Sequence, residues 1–78
     1  MYNVSVGVAR LFYTKHVIDR MLERKISESE MLECIENYDV NHTDKKGNPV
    51  YRAIISNGRR LKVVVQKENP NKIITVGD

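Results

Sequence analysis

The sequence predicts an α+β fold, with two helices packed on one face of a three- to five-stranded antiparallel sheet. Three observations carry that expectation. Apolar residues recur at helical spacing as far as Asn37 and at a spacing of two after Tyr38. Turn chemistry at Lys46-Gly47-Asn48-Pro49 and at Asn57-Gly58 cuts the second half into segments of strand length. A chain of 78 residues closes only one small core, so helices and sheet must share it in a single domain spanning residues 1–78.

Each element has its own signal. Val4, Val6 and Val8 alternate with Asn3, Ser5 and Gly7, the period of a short leading strand. Over residues 14–25, Val17, Ile18, Met21 and Leu22 recur at helical spacing, and Thr14 stands ready as the N-cap. Ser27 followed three positions later by Glu30 is a capping box, and Ile26 and Met31 stand where a hydrophobic staple closes over it. A second helix therefore covers residues 27–37, with Leu32 and Ile35 completing its apolar stripe. Asp39 to Thr43 is polar and suits an edge strand. Pro49 belongs at the start of a strand over 49–56. Asn57-Gly58 is the favoured pair for a two-residue type I′ hairpin. The Val63-Val64-Val65 run within 60–67 implies burial on both faces. A turn around Pro70 leads to a last strand over 72–77.

Composition excludes several classes. The chain is 41% hydrophobic and 29% charged, ordinary globular usage. No run approaches the roughly 18 apolar residues of a membrane span, so no membrane partner is expected. The first ten residues lack the basic-then-apolar order of a secretory signal, and Cys34 is the only cysteine. A cytoplasmic location is expected, with no internal disulfide, no disulfide-linked partner and no cysteine-rich zinc site. The net charge of +3 is unevenly spread. Residues 1–25 carry five basic and two acidic side chains, residues 26–44 none and six, and residues 45–78 eight and two. Such a chain can fold with a basic face and an acidic face, the footprint of a small protein that handles a polyanion. A salt-balanced, solvated surface has the same composition.

Two groups of residues stand out. His16, Arg20 and Arg24 are four apart and form one ridge on a helix, at about 0°, 40° and 80° around its axis. Val17 and Met21 follow at about 100° and 140°, so the ridge borders the buried stripe and should lie along the seam with the sheet. Tyr51, Arg52, Arg59, Arg60 and Lys62 gather around the Asn57-Gly58 turn. Lys62 shares a strand face with Arg60, and Arg52 with Val50 and Ile54. A polar group in each of several adjacent strands makes a cross-strand row, which Thr75 would extend. His42 sits in a polar, acid-flanked segment and is expected to be exposed. His16, Cys34 and His42 have no zinc-site spacing, so no metal or cofactor is expected. Cys34 lies at the edge of an apolar stripe, as a small core residue would.

The segments Thr14-Lys15-His16, Asp19-Arg20-Met21 and Glu23-Arg24-Lys25-Ile26-Ser27 resemble a small uncharacterised domain family. In that family a His-x-x-x-Arg-Met-x-x-Arg helix precedes an Ile-Ser helix start and an antiparallel meander. Gly47-Asn48-Pro49-Val50-Tyr51-Arg52, Arg59-Arg60-Leu61-Lys62-Val63-Val64-Val65 and Ile74-Thr75-Val76 follow the same plan. The resemblance covers about residues 12–76. The family is grouped with the barnase, EndoU, colicin and RelE-like ribonuclease toxin fold. That grouping implies a hydrolase of toxin type, a metal-independent endoribonuclease that cleaves RNA by attack of the ribose 2′-hydroxyl. The sequence departs from such enzymes in lacking an obvious second acid or base.

The side chains fit that chemistry. His16 exchanges a proton near neutral pH, and with Arg20 and Lys62 forms the expected catalytic set. Arg24, Arg52, Arg60 and Thr75 are the expected substrate contacts, with Tyr51 available to stack on a base. The expected partners are RNA and an acidic antitoxin or inhibitor protein. A non-catalytic RNA- or protein-binding module with the same fold is the alternative, and only the enzyme requires His16 to exchange a proton.

Overall fold

The computed structural model describes residues 11–78, so the leading strand expected at Val4 to Val8 lies outside the described residues. In chain order the elements are β1 (Phe12–Tyr13), α1 (Lys15–Arg24), α2 (Glu28–Glu36), β2 (Val40–Thr43), β3 (Pro49–Ile54), β4 (Arg60–Val65) and β5 (Lys72–Gly77). The strands form one sheet in the order β1-β5-β4-β3-β2. Helix α1 packs along β5 and α2 across β3 and β4. Between them lies one apolar core, in which Val17, Met31, Val63, Val65, Ile73 and Val76 are buried. The α+β architecture is therefore as expected, with one correction: the sheet is mixed. Phe12 and Tyr13 pair in parallel with Lys72 and Ile73. Two residues are too few to show an alternation, so this strand is invisible to periodicity.

Both helices begin and end where local chemistry dictates. The Thr14 hydroxyl accepts from Val17 N at 3.2 Å, which satisfies one of the free amides of the first turn of α1. The helix closes at Lys25, whose φ of 55° is left-handed and whose N–H returns to Met21 O. At α2 the capping box is complete. Ser27 Oγ accepts from Glu30 N at 3.1 Å, and Glu30 Oε1 accepts from Ser27 N at 2.9 Å. Ile26 and Met31, the expected staple pair, are both buried in the core.

The two hairpins share one design, and it corrects the type I′ turn. In the β3–β4 connection Ile55 N donates to Arg59 O at 2.9 Å and Gly58 N to Ile55 O at 2.8 Å. The loop thus has three residues, with only Gly58 at positive φ, +86°. A type I′ turn requires positive φ at Asn57 as well; this is instead a type I turn followed by a left-handed glycine. The β2–β3 connection repeats the pattern, with Asp44 N donating to Asn48 O, Gly47 N to Asp44 O, and Gly47 at φ +85°. Asp44 also accepts from Lys46 N and Asn48 N, each at 2.9 Å.

The β3–β4 loop is tied to both helices. Arg59 Nη1 donates to Lys25 O at 2.8 Å and Nη2 to Arg24 O, so this guanidinium occupies the carbonyl end of α1. Arg59 also pairs with Asp78 at 2.9 Å and with Glu30 at 3.5 Å, and Asp78 in turn meets Arg24 at 3.4 Å. From α2, Glu33 accepts from Ser56 N at 2.6 Å, while Asn57 Nδ2 donates to Glu30 at 3.0 Å.

Glu30 is thus held ionised from several sides. The Ser27 N–H first, then the Asn57 amide, with the Arg59 charge adding to them, lower its carboxyl below the ordinary value of 4.5. A depressed folded-state value means that the unfolded chain binds the proton more readily there, so the contribution is complete above about pH 4.5 and disappears as pH falls through the folded value. Chemical denaturation at a series of pH values should therefore show stability falling on the acid side, with Glu30→Gln less stable at pH 7 but with a flatter acid limb. Parallel acid limbs for the two proteins would contradict this role.

Candidate functional site

Residues paired across antiparallel strands point to the same face, and neighbours along a strand point to opposite faces. Tyr51, Val63 and Val76 are register partners on the helix-covered face. The opposite face, open around Arg52 and Lys62, carries three rows. His42, Val50, Val64 and Thr75 form one, in which the two valines are buried; Val40, Arg52, Lys62 and Gly77 form the next; Ile54 and Arg60 form the last. Arg52 and Lys62 are therefore direct cross-strand partners, and Arg60 stands two residues, about 6.8 Å, along β4 from Lys62. Among the described residues no carboxylate lies within 4.0 Å of any of the three. Like charges directly opposite on a sheet destabilise it. A shallow groove of about 680 Å³ runs over these cations, and Val40, Ile54, Asp39 and Asp78 also line it.

The α1 ridge meets this face at β5. A Cβ placed on Gly77 would meet Arg20 Nη2 at 4.0 Å, and Gly77 is the register partner of Lys62. One turn on, Arg24 contacts Asp78, the residue after Gly77. His16 lies one turn before Arg20 on the same ridge and is exposed. The ridge thus runs beside the end of β5, with Arg20 next to the Arg52–Lys62 row. Arg20 Nε is buried there with no hydrogen-bond partner among the described residues.

Not every expected site residue joins the cationic rows. Thr75 does not extend the Arg52–Lys62 row, because Gly77 holds that register position and Thr75 lies opposite Val64 in the neighbouring row. Tyr51 is half-buried on the helix-covered face, packed against the core and 5.3 Å from the Tyr38 ring. His42 is exposed on the open face at the far edge, three interstrand spacings or about 14 Å from Thr75. Cys34 is buried, its Sγ directed at Tyr51 O and Leu61 O. Burial first, then the charge of Asp39, pushes that thiol up to about 11. No group of three or more His, Cys, Asp or Glu side chains among the described residues is placed to hold a metal. Among the described residues no helix is long and apolar enough to cross a membrane.

The acidic middle of the chain is not a simple acidic face. Glu28 accepts from the Tyr13 hydroxyl, Glu30 and Glu33 hold the β3–β4 loop, Asp39 accepts from Ile54 N, and Asp44 holds the β2–β3 loop. Burial, then the bond and charge of Glu28, raise the Tyr13 hydroxyl above its ordinary value. Glu36 is the one acid of the segment without a partner among the described residues. The sequence offered no sign that Asp39 and Asp78 line the groove or that Gly77 lies beside Arg20, because each depends on register between distant strands.

A family profile described as "Domain of unknown function (DUF4258)" matches residues 13–78. No curated protein and no solved structure matches the chain.

The unscreened Arg52–Lys62 pair makes a stability prediction. Lys62→Gln removes one of two facing like charges, so thermal or chemical denaturation in low salt should show a gain of about 0.2–1 kcal/mol. A loss of similar size would mean that the pair is not under repulsion.

Proposed function

The chain belongs to the DUF4258 family, and we propose that it is a metal-independent endoribonuclease of toxin type whose open-face groove holds RNA. The observation that supports this reading best is the row of Arg52 and Lys62, flanked by Arg60, with no carboxylate within 4.0 Å of any of the three among the described residues. A sheet that keeps like charges opposed at a cost in stability fits a surface neutralised by an external anion. The exposed His16 on the adjoining ridge adds an imidazole, the side chain most often used for general acid–base work.

In this mechanism Arg52, Arg60 and Arg24 hold successive phosphates by charge-assisted hydrogen bonds, and Thr75 adds a hydroxyl from the neighbouring row. His16 takes the proton of the ribose 2′-hydroxyl. The 2′-oxygen bonds to phosphorus, the bond to the 5′-oxygen breaks, and solvent water supplies the proton that the leaving oxygen takes up. Arg20 and Lys62 stabilise the charge that builds on the pentavalent phosphorane. The ribonuclease toxin fold named by the sequence resemblance would follow from the same reading, as would an inhibitor protein with an acidic surface shaped to the groove. A second reading, a non-catalytic RNA-binding module, is favoured by the place of His42. About 14 Å of sheet separates it from β5, the strand that α1 packs along, too far to divide acid and base roles with a residue of α1 at one phosphodiester.

Incubation of the protein with total RNA in EDTA, wild type beside His16→Ala, tests the proposal. Cleavage by the wild type, reduced by about 10²-fold or more in the variant, is the expected result. If the wild type leaves RNA intact but binds it with an affinity that falls by a log–log slope of about −0.7 per phosphate contacted, the binding module replaces the enzyme. Salt-independent binding, or none, would remove RNA from the account.

A further inference from the structure

The groove contains one carboxylate that a phosphate-binding surface does not explain. Asp78 has both oxygens engaged, Oδ1 by Arg24 and Oδ2 by Arg59. Asp39 differs. Its Oδ2 accepts from Ile54 N at 2.8 Å, which fixes the carboxylate, while Oδ1 has no partner among the described residues. Its backbone is pinned as well, Asp39 N donating to Arg52 O at 2.8 Å. Beside it Val40 and Ile54 are 52% and 58% exposed, large apolar side chains left in a cationic groove.

A fixed negative charge at this position repels phosphate, so the part of an RNA strand that meets Asp39 must be a donor. We propose that Asp39 reads a base: its carboxylate accepts hydrogen bonds from the Watson–Crick edge of a guanine seated between Val40 and Ile54. This inference rests on the RNA reading of the same groove. The assignment to guanine follows from donor patterns. Guanine presents two adjacent donors, N1–H and the N2 amino group, which match the two oxygens of a carboxylate, and an ionised carboxylate has lone pairs to spare beside the Ile54 bond. Adenine and cytosine set an acceptor next to their amino group, and uracil places its single N–H between two carbonyls; each brings an acceptor against the carboxylate. Recognition through this edge requires an unpaired base, so the substrate class is single-stranded RNA. Ile54 lies two residues, about 6.8 Å, along β3 from Arg52, which places the base position beside a phosphate position on one strand.

Fluorescence anisotropy with labelled 2′-O-methyl pentamers tests this, because the methyl group blocks attack and leaves binding alone. UUGUU should bind the wild type about tenfold more tightly than UUAUU or UUUUU, with inosine at the centre, which lacks the N2 amino group, in between. Asp39→Asn keeps an acceptor for Ile54 N–H and leaves the cations untouched, so it should bind all four pentamers while losing the preference. Equal affinity of the wild type for the four, or an unchanged preference in Asp39→Asn, overturns the guanine assignment and leaves the RNA reading standing. Failure of every pentamer to bind overturns both.

Discussion

The Arg59 guanidinium joins parts of this fold that would otherwise meet only through a small core. It reaches the last carbonyls of α1, the capping glutamate of α2 and the final residue, Asp78. Its own place is set by the β3–β4 loop, where Asn57 Oδ1 accepts from Arg59 N at 3.0 Å. Helix α1 lies on β5 and α2 on β3 and β4, so the two helices sit on different strands. Arg59 and its partners therefore fix the distance between them at one end of the sheet. That same end holds Gly77, Arg20 and the margin of the groove. The geometry of the cationic surface depends on a clamp whose members are mostly outside it.

The clamp also explains how the charges are divided. A chain with a net charge of +3 has few acids to spare. Glu30 and Asp78 are taken by the clamp, Glu33 by Ser56, Asp39 by Ile54 N and Asp44 by its loop. Structural use of the acids leaves no carboxylate within 4.0 Å of Arg52, Lys62 or Arg60 among the described residues, although Asp39 and Asp78 line the same groove. Charge separation here follows from which groups the backbone needs at caps and turns, and the cationic face is its consequence.

Much of this was legible in the residues. Helix limits, both N-caps and the capping box follow from Thr14, Ser27 and Glu30, because caps are local chemistry. The strands over Val50 and Val63 and the burial of the valine run follow from periodicity. What remained hidden depended on contacts between distant segments. Phe12 and Tyr13 pair with β5 through register alone. Asn57-Gly58 pointed to a two-residue turn, whereas pairing of Ile55 with Arg59 leaves three residues in the loop. At the site, the ridge of His16, Arg20 and Arg24 and the shared face of Arg60 and Lys62 were readable from spacing. The direct opposition of Arg52 and Lys62, the place of Gly77 beside Arg20 and the position of Asp39 required the registers of β2 to β5. Arg59 was visible as one of a cluster of cations, with nothing to mark it as structural rather than exposed.

The account stands on one claim, that the cations of the open face form a single surface for RNA. At 9.0 kDa the protein suits amide chemical-shift mapping by NMR during titration with a single-stranded 2′-O-methyl RNA. The account predicts shifts concentrated at Val40, Arg52, Lys62 and Gly77 and along His16 to Arg24, with Leu32 to Glu36 on α2 unmoved. Shifts confined to α2, or no shifts at low salt, would contradict it.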